Sequence, residues 1–298
     1  MNSKENNYTV IGVFHDSQER PFKGHYDGGG FAIRGLRVTG NYKHAGLFGY
    51  ISSDRYHGSQ IFIELKNINI VDCVIDVGTV DGSAAGGSAG ETGGPVRMTG
   101  NRVRGSITAY GNTGGLIGII RSNATVSNNF VDVTVSGTGN QYNQYFHPEV
   151  CLMVSVSGGS SGGSGNYYHD NGGNVSVSLN TNITATPVYS VTVTAPVGLT
   201  DSDAFATISG VNYYKAGEKY TLTLSTTNAN EVIDGITGVE ATLEADKKSA
   251  TFEMPGEDVT ITATTAEVYT VSVPDDLTIL SDAFATISGV NYYKAGEK

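Results

Sequence analysis

The chain has 298 residues, with 40 glycines, only 7 prolines, no tryptophan and a net charge of −11. That length allows two domains or more. The acidic balance speaks against nucleic acid and anionic membrane as partners, because both need basic patches, and no apolar run is long enough to insert in a membrane.

Residues 1–21 hold one alternating piece, Tyr8 to Phe14, expected to be a strand. Phe22 to Ile51 is a first full unit. It has a Gly-rich corner at Asp27 to Gly30, short apolar alternations, a second glycine corner, and GLFG at Gly46 to Gly49. Ser52 to Gln60 is a polar excursion containing Tyr56 and His57, a loop that could carry binding or simply be solvated. Two or three strands are expected over Ile61 to Val80, and others over Val96 to Ala109 and Leu116 to Val135. Variants of the GLFG element return as GGSAG at Gly86 to Gly90 and GGLIG at Gly114 to Gly118.

These strands recur in register. Lys66 to Thr79 overlays Gly94 to Ile107 and then Ser122 to Val135 at a constant offset of 28 residues. Apolar positions superpose: Ile68, Val96 and Ala124; Ile70, Met98 and Val126; Ile75, Val103 and Val131. Cys73, Asn101 and Asn129 share a column. A period in the twenties marks one supersecondary unit repeated, and a unit too small to bury its own apolar face gains a core by stacking. The fold class expected is therefore all-β, with residues 1–187 a parallel solenoid. The same overlay places Asp76, Arg104 and Asp132 in one outward column. Opposite charges on neighbouring strands make a surface ion ladder the simpler reading, with a carboxylate active site as the alternative.

The succession DGGGFAIRGLRV, AGLFGYI, GGLIG and SNNFVDVTVSG resembles the GLUG repeat family of bacterial surface and secreted proteins. Ser88 and Ala89 depart from it by replacing a bulky pair. The resemblance implies a right-handed parallel β-helix in an adhesin-like, exported protein, working outside the cell or at its surface. MNSKENNYTV has no apolar signal segment, so a cropped chain is the expectation for such a family.

Gly137 to Pro148 is a second excursion, with Gln141, Tyr142, Asn143, Gln144, Tyr145, Phe146 and His147 in succession. Aromatics beside amides suit a sugar, rings stacking and amides bonding hydroxyls. The plainer reading has them fold back as a plug, since exposed apolar patches are uncommon. Val150 to Val156 reads as a strand, Ser157 to Gly165 as a flexible Gly/Ser stretch, and Asn166 to Asp170 with Val175 to Ile183 as a last irregular turn of the stack.

At Thr186-Pro187 the composition changes to long Thr/Val alternations. Ser202 to Lys219 (SDAFATISGVNYYKAGEK) recurs identically at Ser281 to Lys298. Residues 188–267 are one module and 268–298 a partial second copy without the closing MPGEDVTIT segment. YKAGEKYTLTLS and MPGEDVTITAT are similar to divergent internalin-B-type repeats. That resemblance implies small β-rich spacer modules, grasp-like or immunoglobulin-like.

No HExxH, GxSxG, P-loop or EF-hand occurs, so no catalytic residue, cofactor or metal is assigned. The six histidines lack ligand spacing and read as surface or corner residues. Cys73 and Cys151 are expected as free, partly buried thiols. The expected function is adhesion or surface display, towards a host or dietary glycan or a surface protein. The alternatives are a carbohydrate-active β-helix enzyme and a purely structural stalk.

Overall fold

The computed structural model describes residues 5–15, 18–53, 55–56, 59–138, 150–171, 176–178, 182–199, 204–208, 210–226, 228–272, 283–287 and 289–296. They contain strands and no helix, as an all-β class requires. The chain divides into two compact units, Met1–Pro187 and Val188–Lys298.

The first unit is built mainly of parallel ladders, with two short antiparallel pairs beside them. Ile63–Lys66, Val96–Thr99 and Ala124–Ser127 stack in order. So do Asn69–Val77, Arg102–Ala109 and Phe130–Gly137. The long strand Ser161–Asp170 closes over both series, and Asn182–Pro187 pairs with it in turn. A second parallel sheet runs Phe48–Ile51, Ala89–Thr92, Ile117–Ile120 and Val150–Val156. Between the sheets lies one apolar cluster in which Ile70, Val103, Val131, Leu116 and Ile117 are all fully buried.

A polar seam joins the passes. Asn101, Asn129 and Asn166 are each no more than 1% exposed. Asn101 donates from Nδ2 to the Leu65 carbonyl at 2.9 Å and to Asn129 Oδ1 at 3.0 Å. Asn129 donates likewise to Met98 O and to Asn166 Oδ1, both at 3.1 Å. The backbone N–H of Asn101 also donates to Asn129 Oδ1, and that of Asn129 to Asn166 Oδ1. Each amide thus satisfies corner groups that a bend in the sheet would otherwise leave buried and unpaired.

The register corrects part of the sequence reading. The offset of 28 holds from Val96–Thr99 to Ala124–Ser127 and from Arg102–Ala109 to Phe130–Gly137. It fails one pass earlier, where Ile63, not Ile68, lies opposite Val96, and Leu65, not Ile70, opposite Met98. Cys73 lies opposite Gly105 rather than beside Asn101, and Ile75 lies opposite Ile107 rather than Val103. Two insertions cause this. Asp72 is an extra, exposed residue at φ 56° where the pairing shifts, and residues 78–83 form a longer corner than residues 110–112. Cys73 and Cys151 are buried and form no disulfide, and burial pushes the Cys73 thiol up to about 12.

The Gly/Ser stretch is not loose either, since residues 161–165 lie inside strand Ser161–Asp170. Gly163 sits at φ 154°, and a Cβ there would overlap the Val126 carbonyl. Glycine here allows two backbones to approach closely.

The second unit packs a four-stranded antiparallel sheet, Val197–Leu199, Lys219–Leu224, Ser249–Glu253 and Ala241–Leu243, against the strands around Val259–Tyr269. Tyr189–Thr194 runs parallel to residues 259–262 of that long strand. Leu222, Ile233 and Ile261 are fully buried between them.

Candidate functional site

Strand alternation brings chemistry to the faces turned away from the core of the first unit. In Phe130–Gly137, Val131 and Val133 enter the apolar cluster, so Asp132 stands on the opposite face. Arg104 and His169 occupy the same position on the strands to either side. Arg104 Nε lies 3.1 Å from Asp132 Oδ2, and His169 Nδ1 lies 2.9 Å from Oδ1. The Asn171 amide also donates to Oδ1. The side chains of Asp132 and His169 are 3% and 8% exposed, while that of Arg104 is 31% exposed.

A second cluster of the same type stands on the other sheet. His44 Nε2 is 3.0 Å from Glu91 Oε2, and Arg121 Nε is 2.7 Å from Oε1. Tyr50 lies opposite Glu91 in the ladder, its ring 5.9 Å from that of His44. Burial pushes the Glu91 carboxyl up, but the hydrogen bonds from His44 and Arg121 outweigh it and hold the pKa below the ordinary carboxylate value. Glu91 is therefore ionised at neutral pH.

Each cluster is a carboxylate gripped by an imidazole on one side and a guanidinium on the other. The grip orients the ring and neutralises a charge that would be costly to bury alone. The same geometry could hold a histidine as a general base if a substrate reached it. Among the described residues no group of three or more His, Cys, Asp or Glu is placed to hold a metal ion.

Of the expected ladder, Arg104 and Asp132 are brought together and Asp76 is not. Asp76 is exposed, lies opposite Thr108, and accepts from the Gly78 N–H at 3.2 Å. The ladder is also not a surface feature, because Asp132 is buried. His44 and His169 likewise correct the reading of the histidines as surface or corner residues, both being 6% exposed. Aligning Ala124 with Ser161 would have found His169, because the same offset of 37 carries Asp132 onto it. Tyr56 lies in the short strand Arg55–Tyr56. His57, Gln141, Tyr142, Asn143, Gln144, Tyr145 and Phe146 lie outside the described residues.

In the second unit an open depression of about 410 Å³ is lined by Lys219, Glu240, Thr242, Thr251, Phe252 and Glu253. It lies across the neighbouring strands Lys219–Leu224, Ser249–Glu253 and Ala241–Leu243, without a buried ionisable group. No family model matches the chain, and neither a curated protein nor a solved structure matches it at a significant level.

Proposed function

We propose that residues 1–187 are a right-handed parallel β-helix of the GLUG type from an exported bacterial surface protein. It works by adhesion or display rather than turnover, and 188–298 are spacer modules of internalin-B type. The observation that carries this reading is the placing of two long insertions on a regular stack. Phe48–Ile51 is separated from Ile63–Lys66 by residues 52–62, and Phe130–Gly137 from Val150–Val156 by residues 138–149. At the corresponding corners of the neighbouring pass, residues 93–95 and 110–112 suffice. Long loops on a rigid scaffold are where binding usually resides. Tyr142, Tyr145 and Phe146 offer stacking faces, and Gln141, Asn143 and Gln144 offer hydroxyl partners. Tyr56 and His57 of the first insertion extend the same reading. A weak glycan contact of this kind, roughly millimolar to micromolar, would gain from many copies on a surface.

One observation favours a second reading, a carbohydrate-active enzyme: the Arg104–Asp132–His169 column pairs a buried carboxylate with a buried imidazole. A glycan array and a reducing-sugar assay on the same purified protein separate the two. Binding that is lost in Tyr142→Ala/Tyr145→Ala, with no sugar released, is the expected result. Sugar release abolished by Asp132→Asn, in a protein that remains folded, would replace the binder with the enzyme. Neither binding nor release would leave a structural stalk.

A further inference from the structure

The repeated 18 residues fold alike in their described parts. Ala206–Ile208 pairs with Val211–Tyr214, and Ala285–Ile287 with Val290–Lys294, in the same hairpin register. Each hairpin adds its second strand antiparallel to the strand leading into its module, Tyr214 opposite Tyr189 and Tyr293 opposite Tyr269.

The second hairpin is held by more than that pairing. Ala285 is buried in a cluster with Val232 and Val268, on which Phe284, Ile287 and Tyr292 pack. Thr286 donates its N–H to the Ala245 carbonyl at 2.9 Å. Lys294 Nζ bonds both carboxylate oxygens of Asp234, at 2.7 and 2.8 Å. The Lys247 ammonium lies 3.2 Å from the centroid of the Phe284 ring.

Val232, Asp234, Ala245 and Lys247 all belong to the first module, yet here they serve the hairpin of the next. The strand Val259–Tyr269 runs through the joint as well. Its residues 259–262 pair with Val191–Thr194 of the first module, and Val268 and Tyr269 pair with the second hairpin. A strand shared between modules, an apolar plug and a two-pronged ion pair leave little freedom at the junction.

We infer that the repeated hairpin is a docking element whose partner is the Asp234–Lys247 face of the preceding module, so that modules of this type join as a stiff rod instead of beads on a flexible linker. The joint stands on the second unit alone and does not depend on what the first unit binds.

Hydrogen exchange on the full chain tests it. Amides of residues 285–294 should be protected, and Asp234→Lys should lower that protection at least about tenfold while Lys219–Leu224 keeps its own. Adding Lys294→Asp to the same chain reverses the pair and should restore docking, or restore folding if the single variant lost it. Unprotected amides at 285–294 in the unaltered chain, no loss in the single variant, or no recovery in the reversed pair would each overturn the inference.

Discussion

Arg104 and Asp132 meet across neighbouring parallel strands at 3.1 Å, yet the arginine side chain is 31% exposed and the aspartate side chain 3%. The pair is thus anchored at its acidic end, and His169 approaches that end from the next strand. The asymmetry decides what substitution does. Asp132→Ala removes the buried centre of the cluster and strands its partners, which should cost about 3–5 kcal/mol. Asp76→Ala, on an exposed residue, should stay within about 0.5 kcal/mol. Urea unfolding of the two variants checks the contrast, and equal losses would refute the register.

The asparagine seam should be as sensitive as an apolar core. Asn129→Ala takes the Asn129 side chain away from the buried Asn101 N–H and Met98 carbonyl, while Asn166 Oδ1 keeps the Asn129 backbone N–H. At about 1–3 kcal/mol for each buried group left unmade, a loss of roughly 2 kcal/mol or more is expected. Asn123 accepts one bond from the exposed Ser160 N–H, so Asn123→Ala should cost below about 1 kcal/mol. Chemical denaturation of both variants measures the difference.

Gly162 and Gly163 are neighbours with opposite tolerance. A Cβ on Gly162 would meet only Asn182 Cβ at 4.0 Å, whereas Gly163 has φ 154° and faces the Val126 carbonyl. Gly162→Ala should therefore be neutral, or gain a few tenths of a kcal/mol by restricting the unfolded chain. Gly163→Ala should lose more than about 1 kcal/mol. Thermal melting of the pair would show both shifts, and a harmless Gly163→Ala would mean that the strands do not approach so closely.

Glu91 makes stability depend on acidity. Its folded pKa is below the ordinary value, so the unfolded chain binds the proton more readily. The contribution is complete above the unfolded carboxylate pKa of about 4.3 and drains away as the pH falls below it towards the lower folded value. Glu91→Gln should flatten the acid limb of the stability curve between roughly pH 5 and pH 3 and lower stability at pH 7. An acid limb identical in the variant would show that the grip of His44 and Arg121 does not hold in solution.

The repeat of short alternating runs was open to sequence reasoning because strand side chains follow a strict period of two. For the same reason Val96, Met98 and Val103 could be laid on Ala124, Val126 and Val131, whose intervening corners are equal in length. The column Arg104–Asp132 follows from that overlay alone. What precedes and follows it was decided in three dimensions. Asp72 slips into a left-handed backbone and shifts its strand by one residue, while the longer corner at 78–83 adds further residues outside the ladders. An insertion in a corner costs little, because loop closure grows only slowly with length, so one-dimensional periodicity breaks there while the stack does not. That is why Asp76 left the column and His169, beyond the insertion at 138–149, entered it. Burial was likewise a tertiary outcome. Alternation turns Asp132, Glu91, His44 and His169 away from the core, but only the packing around those faces takes them out of water.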